Sequence, residues 1–157
     1  MNTGLSRVRT ILEAEGLGER LYELLESAHT AAEAAILLRV GVAEIAKSIV
    51  FRANLSGRAI TVVGRGDRRV NIQRLGDHVG EPVARADPEW VRQVTGYPIG
   101  GVSPVGQPPD VVVLIDGALV EFPWVYAAAG HPNAVFRVSP TELVRLSRGT
   151  VVDELCN

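Results

Sequence analysis

Three features of this sequence could carry chemistry. The first is Lys47, the single lysine beside fifteen arginines. Its compact ammonium has three rotatable donors and a pKa that moves readily on burial. That suits contact with a phosphate, a carbonyl or an amine, although a lysine laying its stem along the surface reads the same way. The second is Tyr97-Pro-Ile-Gly-Gly-Val-Ser-Pro-Val-Gly-Gln-Pro-Pro109, with four prolines and three glycines in thirteen residues. No helix or central strand tolerates that density. Gly100-Gly101 lets the backbone approach a ligand and aim N–H groups at it, while Pro98 and Pro104 stiffen the flanks. The segment reads as an oxyanion or carboxylate cradle, or as a plain connection from helix to strand. The third is His131, in Ala-Gly-His-Pro-Asn133. It can act as acid, base or donor, or serve as a polar turn residue. His29 and His78 lie beside helix boundaries and read as bland.

Other chemistries are missing. No Gly-Lys-Ser/Thr ending makes the glycine loop a nucleotide P-loop, and no Gly-x-Ser-x-Gly elbow presents a serine nucleophile. Cys156 is the only cysteine. It cannot form an internal disulfide or a zinc site, and next to a fraying terminus it is a poor nucleophile. The three histidines have no metal-ligand spacing, so neither metal nor cofactor is expected. The longest strongly apolar run, Val111 to Ile115, is far short of the ~20 residues of a transmembrane helix. Met1 to Arg9 lacks the apolar stretch of a secretory signal. A reducing cytoplasm is the expected compartment.

The net charge of −2 conceals an asymmetry. Residues 1–46 carry −3, residues 47–109 carry +4 and residues 110–157 carry −3. A basic middle between acidic ends points to a local site for an anionic partner, or to solvated surface arginines. Helix-turn-helix punctuation, zinc-finger spacing and basic heptads are all absent, which argues against duplex DNA.

The elements that must position these residues belong to one domain, 1–157, of normal globular composition (46% hydrophobic, 22% charged). Thr3 to Glu15 reads as a helix, with Leu5, Val8 and Leu12 on one stripe. Leu21 to Glu26 reads as an edge strand. Thr30-Ala-Ala-Glu33 is a capping box opening an alanine-rich helix that Gly41 stops. A helical turn over 42–46 leads into the strand Lys47–Phe51, and Ala59–Val63 returns as a hairpin. Asn71 caps a helix to Val79. Asp87-Pro88 starts another that Gly96 closes. Strands follow at 111–115, 124–128 and 134–138. Ser139-Pro-Thr-Glu142 then opens a last helix, stopped by Gly149, and Val151-Val152 adds a final strand. Most strand pairs are too close for βαβ crossovers. The expected class is α+β, with a mixed or antiparallel, partly barrel-like sheet and surrounding helices.

Five segments together resemble a known family. Thr30-Ala-Ala-Glu-Ala-Ala35, Glu44-Ile-Ala-Lys-Ser-Ile-Val-Phe51, Thr95-Gly-Tyr-Pro-Ile-Gly-Gly-Val-Ser-Pro-Val-Gly106 and Ala128-Ala-Gly-His-Pro-Asn133 with Ser139-Pro-Thr-Glu-Leu143 are similar to the YbaK family. Its members are free-standing aminoacyl-tRNA deacylases related to the editing insertion domain of bacterial prolyl-tRNA synthetase. The resemblance implies a trans-editing hydrolase that cleaves the ester of a mischarged aminoacyl-tRNA, with cysteine or alanine on the tRNA for proline as the leading substrates. Such editing has a physical need, because a synthetase pocket separates one methylene by only ~1–3 kcal/mol.

The resemblance also implies a set of roles. Lys47, Gly100, Gly101 and Val102 are the implied catalytic residues, with the Gly101 and Val102 N–H groups on the ester carbonyl. Tyr97, Ser103, Pro104, His131 and Phe51 are the implied substrate-binding residues. The attacking group is water, or the substrate's own thiol. The implied partner is aminoacyl-tRNA, through its 3′ end and acceptor stem, alone or in a synthetase–tRNA complex, with no membrane and no DNA. The rival readings are a non-catalytic tRNA-binding or regulatory module of the same fold, and a hydrolase of some other small ester or amide.

Overall fold

The computed structural model describes residues 3–157. Its elements follow in the order α1 (Thr3–Ala14), β1 (Leu21–Glu23), α2 (Ala31–Leu38), β2 (Ile45–Ala53), β3 (Ala59–Arg65), α3 (Ile72–Val79), β4 (Val83–Arg85), α4 (Pro88–Thr95), β5 (Val112–Asp116), β6 (Val125–Ala128), β7 (Ala134–Val138), α5 (Pro140–Ser147) and β8 (Thr150–Val152). One sheet takes all eight strands in the order β1-β7-β6-β2-β3-β5-β8, with β4 paired to β2. The β2/β6, β3/β5 and β5/β8 pairs are parallel, and the rest are antiparallel. The class is therefore α+β with a mixed sheet. The path ends at β1 and β8, so the sheet is not a closed barrel. Among the described residues no helix is long and apolar enough to cross a membrane.

Local chemistry accounts for most boundaries. Asn71, Asp87 and Ser139 each accept the backbone N–H three residues on and so cap α3, α4 and α5. Thr30 likewise accepts from Glu33, but the Glu33 carboxylate accepts from His29 N–H rather than from Thr30. Two helix ends differ from expectation. α2 and α5 stop at Arg39 and Arg148, both in the left-handed region, rather than at Gly41 and Gly149. Gly41 instead leads the 3-10 turn Val42–Glu44. Gly149 is needed for space, since a Cβ there would lie 2.8 Å from Ile115. β4 has no counterpart in the sequence reading, because three residues with only Val83 buried show no alternation.

Helices cover both faces of the sheet. On one face Val8 and Leu12 of α1, Val91 of α4 and Leu143 of α5 pack on Val50, Val63, Ile115 and Phe136. On the other, Leu75 of α3 and Leu155 pack on Phe51, Ile60, Val62 and Leu114. The period-2 alternation of β2 and β3 feeds both cores.

The C-terminus is pinned, which corrects the expectation of a fraying end. Asn157 and Arg69 exchange two backbone hydrogen bonds, and Leu155 accepts from Asn71 N–H at 2.7 Å. Leu155 N–H donates to the buried Asp116 carboxylate at 2.8 Å. Chain ends fray only when nothing ties them down, and here three backbone ties and a buried leucine do so. Leu155→Ala should therefore lower unfolding free energy by about 2–5 kcal/mol in a denaturant titration. A loss below about 0.5 kcal/mol, the range of an ordinary surface site, would mean that the end frays after all.

Candidate active site

The site begins with a fork in the sheet. Along one edge of β2, β6 pairs only with Ile45 and Ala46, and β4 only with Phe51, Arg52 and Ala53. Between them the edge of residues 47–49 has no strand neighbour, while Val50 C=O accepts from Ala86 N–H at 3.2 Å. β6 and β4 splay apart there, and a cavity of about 470 Å³ fills the gap. Its walls include Lys47, Ser48 and Val50 of β2, Ala31 and Ala34 of α2, Val91 of α4, Ala127 and Ala128 of β6, and Gly100 and Val102 of the glycine loop. That volume falls in the ordinary range of small-molecule sites.

Lys47 is partly buried, and the residue opposite it on β3 is Gly64. A side chain on Gly64 would begin 2.6 Å from Cys156 Sγ, so the thiol occupies the space beside Lys47. Burial lowers the Lys47 pKa from its ordinary 10.5; Cys156 and Asp67 oppose this shift, and Arg69 and Arg85 reinforce it. Burial, with Asp116 adding and Lys47 opposing, raises the Cys156 thiol to about 11. The thiol is therefore neutral near pH 7 and offers Lys47 no counter-charge there.

The basic middle of the chain resolves into two sets of arginines. Arg58, Arg65 and Arg74 are paired with Glu81, Asp67 and Glu154. Among the described residues Arg52, Arg68, Arg69, Arg85 and Arg92 form no salt bridge, and Arg85 lines the cavity with Lys47.

The glycine loop is held from below. Tyr97 is fully buried and donates its hydroxyl to Val105 C=O at 2.7 Å. Ser103 Oγ accepts from Val105 N–H, and Gln107 bridges from Ser103 C=O to the Thr61 hydroxyl. Gly100 has φ 88° and Gly101 lies against the next turn, where a Cβ would come 2.8 Å from His131 N and Cα. Gly101 N–H donates to Pro98 C=O at 2.9 Å. It is therefore already engaged in a turn, contrary to the expectation that it faces a ligand. Among the described residues the Gly100 and Val102 N–H groups carry no internal hydrogen bond.

Of the sequence candidates, Lys47, Gly100 and Val102 meet at the cavity. Gly101 sits behind its wall. Tyr97, Ser103 and Pro104 are buried in the loop's base. Phe51 lies in the core beside α3, 1% exposed. His131 faces a second cavity, with Arg92, Gly96 and Pro98 among its walls, and its Nδ1 accepts from Asn133 N–H at 3.2 Å. Sequence reasoning missed Ser48 and His29, which line the main cavity, and did not single out Arg85, which lines it too, from the other arginines of the basic middle. Ser48 is adjacent to the singled-out lysine. Arg85 lies on the strand that left no pattern, and His29 precedes a helix cap and reads as bland. No group of three His, Cys, Asp or Glu side chains among the described residues could hold a metal ion.

Residues 26–146 match the family model described as the aminoacyl-tRNA editing domain. The chain is 30% identical to the uncharacterized protein YwhH of Bacillus subtilis (strain 168), over 97% of this chain and 96% of that one. It is 40% identical over 78 residues to the proline–tRNA ligase of Moorella thermoacetica, spanning 49% of this chain but 13% of the ligase. Among solved structures, a candidate trans-editing enzyme for prolyl-tRNA synthetase superposes with a TM-score of 0.87 at 38% identity, covering 98% of this chain and 97% of that one. The hypothetical protein APE2540 superposes at 0.88 with 37% identity, covering 96% and 99%. Fold and sequence thus agree, and this chain belongs to the aminoacyl-tRNA editing domain family.

Proposed function

We propose that this protein is a trans-editing hydrolase, cleaving the ester that joins a misattached amino acid to the 3′ end of a tRNA. Cysteine or alanine on the tRNA for proline are the substrates we favour. The observation that carries this reading is the cavity at the β2 fork, lined by the partly buried Lys47 together with Gly100 and Val102, two residues whose N–H groups are uncommitted among the described residues. A terminal adenosine bearing a small aminoacyl group suits that space, and Arg68, Arg69 and Arg85 supply charge for the phosphates beyond it.

In the proposed mechanism the Lys47 ammonium neutralises the terminal phosphate and orients the adenosine. The N–H groups of Val102 and Gly100 hold the ester carbonyl. One such donor is typically worth about 2.7–4 kcal/mol once the carbonyl oxygen becomes an oxyanion. Water attacks the carbonyl carbon. The tetrahedral intermediate then expels the ribose 3′ oxygen, which takes up a proton as the amino acid leaves. Cysteine's own thiol can replace water in the first step. No protein nucleophile is required, in keeping with a Cys156 thiol held at about 11. Gly101 contributes by letting the loop lie flat on the Gly130-His131 turn.

A deacylation panel of alanyl-, cysteinyl- and seryl-tRNA for proline tests the reading. Hydrolysis of at least one above the buffer rate is the expected result. Binding of tRNA with no hydrolysis would favour a non-catalytic module. Lys47→Ala should cut the rate tenfold or more with the fold intact by circular dichroism. Because burial holds the Lys47 pKa below 10.5, the ammonium is lost earlier on raising pH than for an exposed lysine. The rate corrected for spontaneous hydrolysis should fall on the alkaline side, and Lys47→Arg should remove that limb. Gly101→Ala drives a methyl into the His131 backbone; turnover should drop more than tenfold, with a lower Tm.

A further inference from the structure

Ester hydrolysis moves a proton, and the residues so far assigned include none that carries it. Attack by water releases one proton, and departure of the ribose 3′ oxygen consumes one. Among the described residues the ionisable side chains lining the main cavity are His29, Lys47, Arg85 and Tyr126, with no carboxylate. Ammonium, guanidinium and phenol groups ordinarily keep their protons near neutral pH. Imidazole both takes and gives one there. The fold puts that imidazole beside the amides that hold the ester carbonyl. His29 is exposed just ahead of α2 and lines the cavity with Gly100 and Pro132. A Cβ on Gly100 would lie 3.4 Å from His29 Nδ1. Two hydrogen bonds fix the segment: Ala28 N–H donates to Pro132 C=O at 2.7 Å, and His29 N–H donates to the Glu33 carboxylate at 2.9 Å. Glu33 thereby anchors the histidine rather than the cap residue Thr30, whose N–H a capping box would engage.

The imidazole itself makes no hydrogen bond or ion pair among the described residues, so its nitrogens are free to exchange a proton with a ligand. The titratable groups around it are the Glu33 carboxylate and, on the other cavity walls, Lys47 of β2, Arg85 of β4 and Tyr126 of β6. We propose that His29 is the proton carrier of the deacylation. As the oxygen of water bonds to the carbonyl carbon, the neutral imidazole takes one of water's protons. When the bond from that carbon to the ribose 3′ oxygen breaks, the imidazolium gives the proton to the departing oxygen. The histidine ends as it began, with water divided between the acid and the alcohol. This inference rests on the deacylase reading and supplies the acid–base group that the reaction needs. Positioned proton transfer of this kind typically contributes about 10²–10⁴-fold in rate.

The test compares wild type with His29→Gln, which stays polar but cannot titrate, on each mischarged tRNA that the wild type hydrolyses. The variant's kcat should fall about hundredfold with little change in KM and none in Tm. The wild-type rate should decline on the acid side, as the imidazole becomes protonated and can no longer act as base, and the variant should lack that limb. The substrate's own α-amino group titrates in both proteins and cancels in the ratio of their rates. Added imidazole should restore activity to His29→Ala, after subtraction of its direct action on the ester, and should leave Lys47→Ala no faster. An undiminished kcat in His29→Gln, an acid limb that persists in the variant, or a loss that imidazole fails to repair overturns the role of His29 alone. So does a uniform loss at every pH with a lowered Tm, which marks a structural part. Wild-type protein that hydrolyses no member of the panel overturns the deacylase reading, and this assignment with it.

Discussion

The structure turns on a strand that runs out of partners. A central strand buried among helices normally has both edges paired, because an orphaned backbone N–H or C=O in a dry interior is costly. β2 is paired along one edge with β3 throughout, but its other edge is shared between β6 at one end and β4 at the other. Two short neighbours of opposite direction cannot meet in the middle. The stretch that includes Lys47 and Ser48 is left facing a cavity instead of a strand. An interior gap of this kind is tolerated where water or a ligand completes the hydrogen bonding.

That one gap explains several features that otherwise look unrelated. Gly64 has no side chain because Cys156 Sγ fills its place beside Lys47, and Cys156 is held there by the backbone ties between the C-terminus and Arg69. The chain's last residues thus pack beside Lys47, behind the residues that line the cavity. The glycine loop, which closes the cavity from another direction, is rigid through buried contacts of Tyr97, Ser103 and Gln107 rather than through its prolines alone. Residues singled out for substrate contact serve, in the free protein, as the foundation of the loop that does line the cavity.

Electrostatics follow the same geometry. Several of the middle segment's arginines are neutralised by nearby acids, so the net charge by segment overstates what a ligand meets. What remains near the cavity is Lys47 with Arg69 and Arg85, beside a neutral thiol and Asp67, an acid already bound by Arg65. An ammonium left uncompensated in this way is available to an anionic ligand.

Local sequence accounts for every helix and every strand but β4, because capping residues and period-2 or period-3.6 apolar spacing act over a few residues. Asn71, Asp87 and Ser139 open helices where their side chains predict, and the 134–138 strand has the expected bounds. It also singled out Lys47 and the glycine loop, whose composition is locally abnormal. It could not reveal that Gly101 N–H is spent on Pro98, that His131 faces a different cavity, or that Phe51 belongs to a core. Nor could it show that Arg85, on a three-residue strand, returns to the side of Lys47. Those facts depend on which strands become neighbours, a matter of long-range pairing. Where β2 is left unpaired, and so which side chains share its cavity, follows from how the whole chain packs.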